Sequence, residues 1–312
     1  MKQFFGIFLF AQLSIAAFCP AQQNQADANN YIIPKKHGKI ILAYRAFGDF
    51  LRSDRSWKSY RAIVLDPYPA VQEVHNRQLQ WGGIDSVQFP KDLKNYKQEE
   101  FKRCFTQYDE KTLNYLYDSL IERAQAILPP VVKKETDLCF FLPYGSCFVA
   151  PDEHKNTIFI SMRIDPKDAQ KIMVHEYSHV LHMSRQPEEP LTLKREIISE
   201  GMAVYLTNKI IKNIEVRNSV PFMTPESFDW CLNNEKTIRD SIGLDLNDTT
   251  DRLFKRYIAD GGFASPPTGF VQKTGYFVGY RIIELCVKKG MSLEEICSLE
   301  SEALIKGSGY FK

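Results

Sequence analysis

The segment Val174–His182, VHEYSHVLH, constrains this chain most, because it places three of the six histidines within nine residues. The residues before this segment predict the start of a helix. Asp165 suits the N-cap, Pro166 fits the first helical position, and Asp168 adds negative charge near the positive end of the helix dipole. We expect the helix to continue to about Ser184, so that the histidines share one rigid element.

His175 and His179 are the two histidines of an HExxH motif on this helix. They are one turn apart, about 6 Å along the axis, and lie on the same face. Two imidazoles placed in this way can bind one Zn²⁺, and Glu176 then stands beside the metal as a general base for a water molecule. The alternative interpretation is an amphipathic helix with solvated histidines.

A third ligand decides between these interpretations, since hydrolytic zinc sites have three protein ligands and an open fourth position. His182 lies about 10 Å beyond His175 along the same straight helix, so we expect it to pack or to support the site and not to bind the metal. The metzincin pattern fails, because its third histidine would stand at the position of Arg185.

A second helix, predicted from about Leu193 to Lys212, carries the preferred third ligand in the segment ISEGMAVYL. Glu200 stands there among apolar residues, where a carboxylate is costly unless a charged partner or a metal satisfies it. We expect the two helices to pack antiparallel, with Gly201 permitting their close approach. The alternative is that Glu196 and Glu200 form an exposed stripe of an amphipathic helix.

Three segments, HEYSHVLH, ISEGMAVYL and the later TGYFVGYRIIE, carry a resemblance to a known family. Together they resemble the predicted zinc-dependent proteases of the gluzincin type, a bacterial family long labelled a domain of unknown function. The resemblance covers about Leu128 to Leu299. It implies a small sheet, an HExxH helix, a glutamate-bearing helix and a C-terminal helix with a Gly-Tyr-x-x-Gly-Tyr pattern.

The C-terminal pattern places Tyr276 and Tyr280 four residues apart on one helix, predicted from Thr274 to Gly290. Metal-assisted peptide hydrolysis needs a hydrogen-bond donor for the oxyanion, and a tyrosine hydroxyl can provide it. Either tyrosine is a candidate for this role. Core packing is the alternative for both, since aromatic pairs at this spacing commonly pack against other helices.

The rest of the chain predicts a single α+β, zincin-like domain over residues 38–312. Residues 38–130 read mainly as helices, and residues 131–312 form the catalytic part. Residues 131–164 hold three short β-type runs, which predict a small antiparallel sheet packed on the helices. Within it, Cys139 and Cys147 are placed to face each other across a hairpin.

The N-terminus predicts export. Residues 1–21 combine a basic start with a short apolar run, as in a secretory signal peptide, and residues 22–37 read as a flexible lead-in. A lipoprotein tethered through Cys19 is the less favoured alternative, because the bulky Phe18 precedes that cysteine. No other segment approaches the length of a transmembrane span.

These features together predict an exported zinc metallopeptidase acting on a peptide or protein substrate. The net charge of +2 indicates no nucleic-acid partner. Two alternatives remain open. One is a non-catalytic exported envelope or surface protein on a zincin-like scaffold, and the other is a hydrolase of a non-peptide amide.

Overall fold

The computed structural model describes residues 31–152 and 154–312. The predicted signal peptide and Cys19 lie outside the described residues, as does most of the predicted lead-in. The prediction of a flexible lead-in is wrong at its end, because Ile32–Lys35 form a strand that pairs with the following strand. Among the described residues, no helix is both long enough and apolar enough to cross a membrane.

The fold combines one small sheet with many helices, which confirms the α+β class. The five strands are β1 (Ile32–Lys35), β2 (Gly38–Ile41), β3 (Glu135–Phe141), β4 (Phe148–Pro151) and β5 (Lys155–Ser161). The helices before β3 are α1 (Ala43–Leu51), α2 (Trp57–Tyr60), α3 (Pro69–Gln80), α4 (Phe89–Asp92), α5 (Gln98–Thr106), α6 (Glu110–Asn114) and α7 (Leu120–Ile127). The helices after β5 are α8 (Pro166–Met183), α9 (Leu193–Ile210), α10 (Pro225–Asn233), α11 (Glu235–Asp245), α12 (Asp251–Tyr257), α13 (Thr274–Lys288), α14 (Leu293–Ser298) and α15 (Ser301–Ser308).

The prediction of an antiparallel sheet is wrong, because the sheet is mixed. Its strand order is β1-β2-β3-β5-β4, and only the β1–β2 and β4–β5 pairs are antiparallel. β4 forms a hairpin with β5, and β5 lies between β4 and β3. β5 runs parallel to β3, with Leu138 opposite Ile158. Almost every residue of β3 and β5 is buried, as parallel strands covered on both faces require.

This strand order also removes the predicted pairing of two cysteines. Cys139 lies on β3 and Cys147 just before β4, and β5 separates the two strands. Among the described residues all six cysteines are free thiols. The strand directly before the HExxH helix, β5, is internal, and the edge of the sheet on this side is β4.

The helix predicted from Asp165 forms with the expected start. The Asp165 side chain accepts a hydrogen bond from the Lys167 N–H, Pro166 occupies the first turn, and Ser184 closes the helix. This helix, α8, packs on β4 and β5, and α9 packs against both α8 and α13. The sheet, α8, α9 and α13 therefore form the frame in which the candidate site lies.

One close approach in this frame differs from its prediction. Gly201 on α9 permits contact with α13, and not with α8. A Cβ atom at Gly201 would lie 2.0 Å from the carbonyl carbon of Gly279, and a Cβ at Gly279 would lie 2.0 Å from the Ile197 carbonyl oxygen. The backbones of α9 and α13 therefore touch at a pair of glycines.

Candidate metal centre

Three side chains from α8 and α9 converge on one point. His175 Nε2 lies 3.0 Å from Glu200 Oε2 and 3.2 Å from His179 Nε2, and His179 Nε2 lies 3.5 Å from the same carboxylate oxygen. No other group of three or more His, Cys, Asp or Glu residues in the described part of the chain is placed to hold a metal ion. The structure thus brings together the three predicted ligands.

The geometry of this triangle fits a zinc ion. Ligand atoms at about 2.0–2.1 Å from a tetrahedral zinc lie roughly 3.3 Å from one another, close to the three distances found here. The donor set of two imidazole nitrogens and one carboxylate oxygen is also one that zinc takes in hydrolytic sites.

The electrostatics of the cluster keep Glu200 ionised. Burial favours its neutral form, but the charge of His179 and hydrogen bonds from both histidines hold the pKa of Glu200 well below its usual range. Burial likewise opposes a charge on His179, yet Glu200 and Glu176 raise its pKa to about 9. Burial lowers the pKa of His175 to about 4. At neutral pH the candidate ligands thus comprise the ionised Glu200, a neutral His175 and a protonated His179. A bound cation would displace the extra proton of His179.

Glu176 is enclosed beside the cluster on the same helix. Burial raises the pKa of Glu176 to about 7, against the attraction of His179 and Lys273. The backbone of Val149 on the edge strand β4 lies near this carboxylate and slightly lowers its pKa. A carboxyl group with a pKa near neutrality is suited to take up and give back a proton.

The two tyrosines occupy different surroundings. The ring of Tyr276 stacks on the His175 ring at a centroid distance of 5.8 Å, and burial together with the nearby Glu200 carboxylate raises the pKa of its hydroxyl. Tyr280 lies one turn further along α13, where its hydroxyl lies 3.4 Å from Glu284 Oε1 and its ring packs near Tyr205. Of the pair, Tyr276 alone adjoins the predicted ligands.

His182 is absent from the cluster, as its spacing along the helix indicated. It is buried, and its Nδ1 atom has no hydrogen-bond partner among the described residues. Burial, with smaller contributions from His179 and Arg195, lowers the pKa of His182 to about 3. The side chain therefore packs as a neutral ring.

Two residues of the site had no signal in the sequence. Ser199 Oγ lies 3.2 Å from His179 Nδ1 and can orient that ring, whereas the buried His175 Nδ1 has no hydrogen-bond partner within residues 31–152 and 154–312. Lys273 precedes α13 and points its ammonium at the Tyr276 ring, 4.3 Å from the centroid. The Ser199 contact depends on how α9 packs against α8, and Lys273 reaches the site only because α13 packs on α9. Local sequence patterns report neither packing.

Comparison with known families gives one match. The family model described as a predicted Zn-dependent protease (DUF2268) matches residues 145–306, which is just over half of the chain. The match includes α8, α9 and α13, with all the residues of the cluster. No curated protein shows a significant match to the chain.

Proposed function

This chain belongs to the family of predicted zinc-dependent proteases, and from that premise we propose that it is an exported zinc metallopeptidase of the gluzincin type. The observation that carries the proposal is the convergence of His175, His179 and Glu200 on one point, with the buried Glu176 beside them. Export rests on the sequence of residues 1–21.

In the proposed reaction, His175, His179 and Glu200 hold the metal. When bound, the zinc ion would polarise the scissile carbonyl and lower the pKa of a water molecule to about 7. Glu176 accepts a proton from the attacking water and later delivers it to the leaving amine. Its enclosed position keeps the pKa close to the range in which both transfers are favourable.

Tyr276 is the proposed donor to the oxyanion that develops on the scissile carbonyl. Burial and the nearby carboxylates of Glu200 and Glu176 keep the pKa of Tyr276 well above its usual value, so the phenol stays protonated and donates a hydrogen bond. Tyr280 is too far along α13 to share this role and is assigned to packing.

The edge strand β4 is the proposed place for the substrate backbone. An extended peptide can add to an exposed strand edge by main-chain hydrogen bonds. The Val149 backbone lies near the Glu176 carboxylate, so a peptide paired along β4 would pass beside the general base. Binding along β4 therefore favours peptide or protein substrates over a non-peptide amide, which has no extended backbone to pair with the strand.

A Glu176→Gln variant tests the proposal. The variant keeps the size of the side chain but cannot accept a proton, so it should retain zinc and lose peptide hydrolysis by about 10²–10⁴-fold. Glu284→Gln, on α13 outside the cluster, is the matched control and should keep wild-type activity. A Glu176→Gln enzyme with wild-type activity would overturn the mechanism, and a wild-type protein that binds no zinc would favour the non-catalytic alternative.

A further inference from the structure

An exposed phenylalanine, Phe222, lies among buried neighbours in the loop between α9 and α10. Ser219, Val220, Pro221 and Met223 are all buried, whereas the side chain of Phe222 is 49 % exposed. Its backbone has a φ of 58°, in the left-handed region that bulky residues rarely adopt. The local fold thus exposes this apolar ring to water and holds its backbone in a conformation that phenylalanine disfavours.

The Phe222 ring is held by a lysine that also contacts the site. Lys273 Nζ lies 5.2 Å from the centroid of the Phe222 ring and 4.3 Å from the centroid of the Tyr276 ring. Its side chain is only 6 % exposed, and Asp260 pairs with the ammonium at 3.1 Å. The cation is therefore neutralised and enclosed, so it serves to hold the two aromatic rings and not to receive a ligand.

Backbone strain is concentrated at this contact. Lys273 also has a positive φ, of 62°, and it and Phe222 are two of four such non-glycine residues in the described part of the chain. Such a conformation is strained for a residue with a side chain and persists only where the surroundings enforce it. Two of them meeting beside a catalytic cluster, with an exposed phenyl ring as the result, indicate a functional surface.

Phe222 is linked to the candidate metal centre through Lys273 and Tyr276. Its contact with Lys273 leads to Tyr276, and the Tyr276 ring stacks on the ligand His175 at 5.8 Å. An extended peptide advances about 3.3–3.6 Å per residue, so a substrate chain that leaves the metal centre toward Tyr276 would bring a side chain near the scissile bond to this ring. An exposed phenyl face there offers contact area to an apolar side chain and no hydrogen bond to a polar one.

We propose that Phe222 is a specificity-determining residue, whose ring forms the wall of a subsite for a large apolar side chain next to the scissile bond. Lys273 is the positioning residue that fixes this wall relative to Tyr276. The inference rests on the proposed peptidase function and deepens it by naming the class of substrate residue that the site selects.

Cleavage of a synthetic peptide library, randomised on both sides of the scissile bond, tests this inference. The wild-type enzyme should prefer Leu or Phe over Gly in one flanking position by about 10–200-fold in kcat/KM. Phe222→Ala should reduce that preference at least about fivefold by slowing the large apolar substrates, with the Gly substrates unchanged. Phe222→Leu should restore part of it. Phe254→Ala is the matched control, because Phe254 is 47 % exposed and makes no ring contact with Lys273 or Tyr276 in the described residues.

The possible outcomes distinguish failure of the Phe222 subsite from failure of the proposed peptidase function. A wild-type enzyme that cleaves the library while Phe222→Ala leaves its profile unchanged, or slows all peptides equally, would overturn the subsite and leave the peptidase function standing. A wild-type enzyme that holds zinc and cleaves no peptide would overturn both. Loss of discrimination in Phe222→Ala, with zinc content and melting temperature retained, supports the subsite.

Discussion

The glycine contact between α9 and α13 gives the sharpest test of how the fold supports the site. Replacing Gly201 with alanine would place the new Cβ 2.0 Å from the carbonyl carbon of Gly279 and 2.4 Å from its Cα. Ordinary carbon–carbon contact needs about 3.5 Å, so the two helices must separate by on the order of 1.5 Å. Both sides of the contact are backbone, and no side chain can rotate away to relieve it.

The expected cost follows from this displacement. Overpacking a core costs about 1–3 kcal/mol, and a backbone clash belongs at the upper end or above it. For a domain of this size, about 3 kcal/mol lowers the melting temperature by ~6–12 °C. Zinc ligands tolerate only about 0.2 Å of displacement. Since Glu200 precedes Gly201 directly, we expect Gly201→Ala to lose most of its zinc affinity as well.

Thermal unfolding and zinc content of purified Gly201→Ala measure both effects. Gly307→Ala is the matched control, because Gly307 lies in α15 and a Cβ there meets nothing within 4 Å. That control should be neutral or more stable by up to about 1 kcal/mol, from the lower chain entropy of alanine. If Gly201→Ala melts and binds zinc like the wild type, the close approach of α9 and α13 is not as described.

Three further predictions concern single side chains. Tyr276→Phe should reduce kcat by about 10²–10³-fold with zinc retained, whereas Tyr280→Phe should change it less than about threefold, and equal effects in steady-state assays would contradict the assignment of the oxyanion donor. Ser199→Ala should weaken zinc binding by about 10–100-fold in a chelator competition, because His179 loses its outer hydrogen bond, and unchanged affinity would show that the serine does not orient the ring. His182→Leu should alter the pH dependence of stability. The folded pKa of His182, about 3, lies below the unfolded value of about 6.5, so the wild-type chain loses stability as the pH falls below about 6.5, by about 1.4 kcal/mol per pH unit from this residue. Denaturant unfolding between pH 4.5 and 7.5 should show this contribution missing in the variant, and parallel curves for the two proteins would contradict it.

The features that the sequence predicted correctly are governed by local rules. Asp165 and Pro166 mark the start of α8 because capping depends on neighbouring residues alone. His175 and His179 meet because helix geometry fixes their spacing. Glu200 was identifiable as a candidate ligand because a carboxylate in an apolar helix needs a partner, and the structure places it beside His175 and His179.

The features that it missed depend on tertiary packing. Gly201 signalled a close approach, but nothing local shows whether α8 or α13 is the partner. The order of β3, β5 and β4 depends on which strands pair across the sheet, which short apolar runs do not encode. Tyr276 and Tyr280 are equivalent by spacing, and only the packing of α13 on α9 brings the first of them to the candidate metal centre.

Zinc affinity tests the central claim most directly, with a chromophoric chelator as competitor and three proteins compared. The wild type should bind one zinc ion per chain. Glu200→Gln should bind it at least about 100-fold more weakly, because a ligand is lost, whereas Glu196→Gln, one turn earlier on the same helix, should remain within about tenfold of the wild type. Equal affinities for the two variants, or a wild-type protein that takes up no zinc, would contradict the assignment of His175, His179 and Glu200 as the metal centre.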